Sequence, residues 1–184
     1  MDNYAQPEQN STQNVYVIYG RNIVMRDAMH DFLDALGLQP VTKEAVVNSL
    51  KGSPFAANIL HTIFESAKAI IVLFTTEEYA RLRRELQKPI GKKEAEEFRP
   101  QPGMDQIFEA GYALGRFSKR TILLQIGQVE LFSDLDGRYM PNFTGKEGER
   151  RNLINRLISI GCTLQIDESR WRSAGNFQPP ISSS

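Results

Sequence analysis

Short apolar runs alternate along this chain with longer segments in which apolar residues recur at helical spacing. The runs lie at residues 15–19, 38–42, 69–74, 121–126 and 163–166 and are rich in Val, Ile, Leu and aromatic residues. Short runs of this composition predict buried strands. Strands that are apolar on both faces are typical of a parallel sheet covered by helices on both sides. The pattern therefore predicts an α/β fold with a central parallel sheet.

Helical periodicity marks the segments between these strands. The predicted helices span residues 23–36, 57–67, 77–87, 105–116 and 147–160. Gly37 and Gly161 follow the first and the last of them, and glycine is the usual residue just past a helix end. Residues 88–103 contain three prolines and several Lys and Arg residues, which predicts a long basic connection before the helix at 105–116.

Length and periodicity predict a single domain. A chain of 184 residues is long enough for one well-cored domain and too short for two ordinary ones. Residues 1–13 are polar and lack core-forming periodicity, and so do residues 167–184, which end in prolines and serines. We expect a disordered N-terminal tail at 1–13, a domain at 14–166, and a tail or linker toward a neighbouring domain at 167–184.

Charge and composition exclude several classes of function. Lys plus Arg and Asp plus Glu both number 22, so no excess of positive charge favours nucleic acid as a partner. No run approaches the roughly 20 apolar residues of a membrane span, and the N-terminus lacks a signal pattern, so we expect a cytoplasmic protein. The single cysteine, Cys162, and two isolated histidines predict neither a disulfide nor a metal site.

Topology predicts where a ligand would bind. In parallel α/β sheets ligands bind beyond the carboxyl ends of the strands, where the strand order reverses. That edge would bring together the turn after the first strand (residues 20–22), the turn after the third strand (residues 75–76), and the helix at 105–116 that carries Glu109.

Glu109 is the leading candidate for a catalytic residue. The small and apolar residues expected on the buried stripe of its helix are Ile107, Ala110, Gly111 and Leu114. Glu109 then falls on a neighbouring face, with no basic residue within a turn on its C-terminal side and with Asp105 four residues before it. Two acids at this spacing destabilise a helix, so the arrangement favours a functional role.

Several neighbours allow two interpretations each. Asp105 is either the N-cap of its helix or a ligand contact. Gly20 and Arg21 either hold a phosphate, through backbone N–H groups and a guanidinium, or form a plain turn between strand and helix. Tyr19 and Phe74 either wall a ligand or belong to the core, and Thr75 either caps a helix or contacts a ligand.

Four segments carry a resemblance to a known family, namely residues 15–22, 72–75, 107–112 and 133–137. They are similar, in order, to the opening strand with its Gly-Arg-Asp-type turn, the third strand with its polar end, the Phe-Glu-Leu-Gly-Tyr helix and the Ser-Asp-Leu-Asp-Gly loop of bacterial TIR-like nucleotide-binding domains. These domains belong to antiphage defence effectors, including TIR modules fused to STING or similar cyclic-nucleotide sensors. Here Met104, Asp105 and Gln106 stand where the family usually has an Arg-Gln-Asn-Val approach to the helix.

The resemblance implies a flavodoxin-like TIR fold with a five-stranded parallel sheet. It implies hydrolysis of the bond between nicotinamide and ribose in NAD+, with NAD+ as substrate, Glu109 as the catalytic residue and no cofactor or metal. The NAD+-binding residues would be Tyr19, Gly20, Arg21, Phe74, Thr75, Asp105 and Tyr112. The chemistry suits a lone carboxylate. The nicotinamide ring of NAD+ is already cationic and departs without a general acid, so the enzyme need only stabilise or attack the positive ribosyl centre.

The family also implies regulation by assembly. Residues 43–53 occupy the place of the loop that joins neighbouring TIR subunits, so we expect self-association to activate the enzyme and deplete NAD+ in infected cells. A cyclic-nucleotide sensor, as a fused domain or a partner protein, is the expected trigger. Two alternatives stay open: an enzyme acting on another N-glycosidic bond, of the nucleoside deoxyribosyltransferase-like type, and a non-catalytic TIR adaptor.

Overall fold

The computed structural model describes residues 13–43, 56–81, 83, 98–130 and 141–178. Within them the elements are, in chain order, β1 (Asn14–Ile18), α1 (Ile23–Ala35), β2 (Gln39–Val41), α2 (Ala56–Ser66), β3 (Ala69–Thr75), β4 (Glu78–Ala80), β5 (Arg99–Gln101), α3 (Met104–Phe117), β6 (Thr121–Ile126), α4 (Glu147–Ile160) and α5 (Glu168–Ser173). The predicted loops at 44–53 and 133–137 lie outside the described residues. None of the described helices is long and apolar enough to cross a membrane.

The central sheet confirms the predicted α/β, flavodoxin-like class. Its four described strands run parallel in the order β2-β1-β3-β6. The chain moves from β1 to β2 on one side and then returns to place β3 on the other side of β1, so the strand order reverses between β1 and β3. The carboxyl ends of these two strands therefore define the ligand-binding crevice of such sheets.

The two faces of the sheet are covered by different helices. Alternate strand residues point to opposite faces, so Val17 and Ile71 pack in one cluster with α1, α4 and α5. Tyr16 and Ile70 pack in the other cluster with α2 and α3. All seven residues of β3 are buried, which explains why this strand has no polar face in the sequence. Burial of the second cluster holds the helix that carries Glu109 against the sheet.

α1 begins and ends where its sequence signals predict. The Asn22 side chain accepts a hydrogen bond from the Met25 N–H at 3.2 Å, which satisfies one of the unpaired donors of the first turn. After the helix, Gly37 has a φ of +73°, and Leu38 N–H returns to the Leu33 carbonyl at 3.0 Å. The same left-handed conformation at Gly161, with φ of +95°, ends α4.

The predicted fifth strand at residues 163–166 is wrong. These residues do not join the sheet, which has four strands in the described part of the chain. Gln165 N–H does donate to the Leu36 carbonyl at 2.8 Å, but Thr163, Gln165 and Ile166 are exposed. The segment therefore lacks the buried face that a strand of this sheet requires.

The predicted helix at residues 77–87 is also wrong over its first part. Residues 78–80 form β4, which pairs antiparallel with β5, so that Glu78 faces Gln101 and Ala80 faces Arg99. β5 in turn interrupts the connection predicted at 88–103. Pairing with a distant strand overrides the local helix propensity of the charged segment. Residues 84–87 lie outside the described residues.

The predicted C-terminal tail is packed against the core as far as it is described. Trp171 in α5 and Phe177 are 1 % and 2 % exposed and belong to the cluster that contains α1 and α4. Arg150, 4 % exposed, binds the backbone around these aromatic residues. Its guanidinium donates to the carbonyls of Gly145, Trp171, Ala174 and Gly175. The folded domain therefore continues beyond residue 166 to at least residue 177.

Candidate functional site

A cleft of about 370 Å³ lies at the carboxyl edge of the sheet, at the predicted switch point. The turn after β1, the segment after β2, the segment after β3 and the first turns of α3 surround it. Its lining residues are Tyr16, Tyr19, Gly20, Arg21, Lys43, Glu77, Glu78, Gly103, Met104, Asp105, Gln106 and Glu109. The turn after β1 and the helix of Glu109 therefore meet here as predicted, whereas the segment after β3 lines the cleft with Glu77 and Glu78 and not with the predicted residues 75–76.

Glu109 lines this cleft with a largely buried side chain. Its side chain is 12 % exposed, and its Oε1 accepts a hydrogen bond from Lys43 Nζ at 2.9 Å. Lys43 stands two residues after β2, and its own side chain is 43 % exposed. The sequence gives no sign of this ion pair, because its members are 66 residues apart and periodicity reports only neighbours within a helix.

Glu77 is an acidic residue at the cleft that the sequence does not predict. Its Oε1 accepts from the backbone N–H of Arg21 at 2.5 Å and from the Thr75 hydroxyl at 3.4 Å. The carboxylate also fits against two glycines, because a Cβ added at Gly20 would lie 1.5 Å from its Oε1, and one at Gly103 would lie 2.6 Å from its Oε2. An internal anion thus occupies the Arg21 N–H that one of the two sequence interpretations offers to a phosphate.

Gln106 contributes a buried amide to the cleft wall. It is 1 % exposed, and its Nε2 donates to the Leu73 carbonyl of β3. Its Oε1 is buried and has no hydrogen-bond partner within the described part of the chain. Buried acceptors are rarely left unpaired, and this oxygen is covered by the surrounding protein.

Tyr19 is held in place at the cleft by the first helix. Arg26 donates to the Tyr19 hydroxyl oxygen at 3.3 Å, and its guanidinium stacks over the Tyr19 ring at 5.1 Å from the centroid. The hydrogen bond to Tyr19, and then the one to Asp27, raise the pKa of Arg26. These contacts fix a phenol ring at the mouth of the cleft, where an aromatic face can pack against a planar ligand.

Three of the predicted ligand-contact residues lie elsewhere. Phe74 is fully buried in the cluster with α2 and α3. It therefore belongs to the core and does not form a wall of the ligand site. Thr75 is 3 % exposed and reaches the site only through Glu77. Tyr112 points its hydroxyl to His61 Nδ1 at 3.1 Å and packs its ring on Phe64, away from the lining residues.

The buried stripe of α3 and the acid in its first turn differ from those expected. The buried positions of the helix are Gln106, Ala110 and Ala113, so Ala110 is the one member of the predicted stripe that is fully buried. Gly111 is exposed, with open space around it. Asp105 is not the N-cap, because Gly103 occupies that position. The exposed Asp105 carboxylate stands in the first turn, where the helix dipole favours negative charge.

The charges around the cleft favour a cationic group in the ligand. Four carboxylates line it, on Glu77, Glu78, Asp105 and Glu109, against the two basic side chains of Arg21 and Lys43. A partly enclosed site strengthens such interactions relative to bulk water. Among the described residues, no group of three or more His, Cys, Asp or Glu side chains is arranged to hold a metal ion. The arrangement can stabilise positive charge that forms on a ligand beside Glu109.

Comparison with known families identifies the chain. A search against family profiles matches residues 14–145 to "CAP12/Pycsar effector protein, TIR domain". A search of curated proteins gives no match. The matched range spans β1 to β6 and includes every residue that lines the cleft. Because the match covers well over half of the 184 residues, the chain belongs to the TIR-domain family of the CAP12/Pycsar effectors of bacterial antiphage defence.

Proposed function

We propose that this protein is an NAD+ glycohydrolase that cleaves the bond between nicotinamide and ribose, with Glu109 as the catalytic residue. NAD+ is the substrate in this proposal, and no cofactor or metal takes part. The observation that carries it is the position of Glu109: a carboxylate only 12 % exposed, in a cleft at the strand edge where acids outnumber bases.

The proposed reaction needs one anionic side chain. The C1′–N bond of NAD+ breaks with its electron pair going to the pyridinium nitrogen, so nicotinamide leaves neutral and C1′ becomes oxocarbenium-like. The carboxylate of Glu109 stabilises that positive charge, and water then adds to C1′ and loses a proton to give ADP-ribose. Because the leaving group carries positive charge before the reaction, no acid has to protonate it.

The size of the cleft supports binding of the nicotinamide end. Small-molecule pockets commonly measure about 300–1,000 Å³, and this cleft, at about 370 Å³, lies at the lower end. It suits a nicotinamide and its ribose, with the adenosine part extending outside. Tyr19, which lines the cleft, offers a ring surface to the pyridine.

Self-association forms part of the proposal. Large apolar side chains are exposed next to the cleft: Ile23 and Val24 begin α1, while Met104 and Phe108, 74 % and 63 % exposed, flank Asp105 and Glu109 on α3. Exposed apolar side chains close together favour a protein contact, and a second copy seated there would cover the mouth of the cleft. In the cell, a cyclic-nucleotide sensor would bring the copies together, and loss of NAD+ would arrest the infected cell.

Nicotinamide release by the full chain tests the proposal. The protein is assayed with NAD+ at high concentration, with and without a crowding agent, and also after fusion to a domain that forces oligomers. We expect the rate of nicotinamide release to rise more than linearly with protein concentration. Glu109→Gln should lower it by at least about 100-fold, the scale for losing one preorganised electrostatic contact. Glu65→Gln removes an exposed carboxylate from α2 and should leave it unchanged.

The same assay separates the alternatives. Release that persists in Glu109→Gln would reject Glu109 as the catalytic residue. If forced oligomers leave NAD+ intact and cleave deoxyribonucleosides, the enzyme acts on a different N-glycosidic bond. If they cleave neither substrate and still bind other TIR domains, the adaptor interpretation is correct.

A further inference from the structure

The ion pair between Lys43 and Glu109 conflicts with catalysis in the state that the structure shows. An ammonium 2.9 Å from the Glu109 carboxylate offsets the negative charge that a cationic pyridinium ribosyl group would meet. The site can act on such a group only after Lys43 has moved. The ion pair can also open at low cost, because the Lys43 side chain is 43 % exposed and ion pairs with an exposed partner are weak.

Each member of the pair needs a replacement partner when it opens. A cationic ring beside Glu109 would supply one for the carboxylate, but it would leave the half-exposed ammonium of Lys43 next to a second positive charge. Lys43 is one of only two basic side chains among the described residues that line this cleft, and an anionic group on the same ligand would supply its new partner. In a ribosyl ligand, the 5′-phosphate is covalently linked to the ring that carries the cation.

We propose that Lys43 is a specificity-determining residue, whose exchange from Glu109 to a phosphate selects ligands that carry a cation and a 5′-phosphate on one ribose. The inference rests on the proposed function and concerns the same site. A ligand with both charges gives Glu109 and Lys43 each a new partner of opposite charge. A ligand with one charge leaves the other member unpaired and binds more weakly.

Three ribosyl probes test the exchange on the full chain by calorimetric titration, with nicotinamide release followed in parallel so that cleavage is not taken for binding. Nicotinamide riboside carries only the cation, ribose 5-phosphate only the anion, and nicotinamide mononucleotide both. They are compared for the wild type, Lys43→Gln and Lys119→Gln. Lys119 is exposed and lies after the C-terminal end of α3, at the opposite end from the cleft, so its variant is the matched control.

The expected pattern has opposite signs for the two single-charge probes. Lys43→Gln should bind nicotinamide riboside roughly 3- to 5-fold more tightly, because Glu109 is free, and ribose 5-phosphate roughly 3- to 5-fold more weakly, the scale for a partly exposed charge pair. The two changes should nearly cancel for nicotinamide mononucleotide. Lys119→Gln should match the wild type for all three probes.

Other patterns overturn the inference in distinguishable ways. If both single-charge probes bind more weakly to Lys43→Gln, Lys43 only shapes the cleft. If nicotinamide riboside gains affinity and ribose 5-phosphate is unaffected, Lys43 covers Glu109 without binding phosphate. If no probe binds either protein at millimolar concentration, the proposed substrate class fails and the exchange fails with it. If the probes show the expected pattern but forced oligomers release no nicotinamide, only the catalytic proposal fails.

Discussion

Gly20 offers a sharp test of the geometry at the cleft floor. A methyl group added there would lie 1.5 Å from Glu77 Oε1, far inside contact distance, so Gly20→Ala must expel the Glu77 carboxylate. The backbone at Gly20 lies outside the left-handed region, so an alanine introduces no backbone strain. The cost of the substitution therefore comes from one displaced side chain.

The magnitude follows from the contacts that Glu77 loses. Its carboxylate accepts the Arg21 N–H at 2.5 Å and the Thr75 hydroxyl at 3.4 Å. A hydrogen bond to a charged group contributes about 1.5–3 kcal/mol, and the lower end applies because Glu77 is only half-buried. Loss of these bonds costs about 1.5 kcal/mol, and reduced freedom of the unfolded chain offsets about 0.4–1 kcal/mol of that cost. We therefore expect Gly20→Ala to lower the free energy of unfolding by about 0.5–1 kcal/mol.

A double-mutant cycle measured by urea unfolding provides the assay. Glu77→Ala alone should cost about 1.5 kcal/mol, somewhat more than Gly20→Ala, since both remove the same hydrogen bonds and only the glycine substitution restricts the unfolded chain. In the Glu77→Ala background the added methyl group meets no carboxylate, so Gly20→Ala should be close to neutral, or stabilising by about 0.4–1 kcal/mol through the unfolded state. Costs that simply add in the double variant would refute this placement of Glu77.

Two further predictions concern stability. Arg150→Met should cost roughly 3 kcal/mol or more in urea unfolding, because it leaves several buried carbonyls near Trp171 without a donor; a loss under about 1 kcal/mol would contradict the anchoring role. Burial, and then the charge of Arg26, lower the pKa of His30 below its ordinary value of about 6.5. As the pH falls, His30 is therefore protonated in the unfolded chain before it is protonated in the folded one. His30 costs no stability above about pH 6.5 and destabilises the fold as the pH falls through that value. His30→Gln should reduce the loss of stability between about pH 7.5 and 5.5, and an unchanged loss would exclude His30 as its source.

The sequence predicts the framework of the fold because that framework depends on local patterns. The apolar runs at β1, β3 and β6 and the helical spacing of α1 and α4 are readable within each segment. The topology then places the turn after β1 and the helix of Glu109 at one edge, as observed. Failures occur where a distant partner decides, as at residues 78–80, which pair with residues 99–101 instead of forming a helix.

The site is only partly predictable for the same reason. Tyr19, Gly20, Arg21, Asp105 and Glu109 follow from topology and line the cleft. Lys43, Glu77 and Gln106 come to the cleft through long-range contacts with Glu109, Arg21 and Leu73. Local periodicity contains no information about such pairs.

The C-terminal segment shows a different limit of the sequence signal. Trp171 and Phe177 stand among polar and small residues, without the repeat that marks an amphipathic element. Their burial depends on the Arg150 guanidinium, which binds the carbonyls around them. Two isolated aromatic residues and one distant arginine give no periodic pattern, so the sequence predicts a tail there.

The central claim is that the Glu109 carboxylate faces the ribosyl carbon of bound NAD+, and a crystal structure with a non-cleavable carbocyclic NAD+ analogue tests it most directly. The account predicts that a Glu109 oxygen lies about 3–3.5 Å from the carbon that corresponds to C1′, the separation of reacting atoms in a productive complex. It also predicts that Lys43 has left Glu109 for a phosphate. An analogue bound outside the cleft, with the pair between Lys43 and Glu109 intact, would contradict the account.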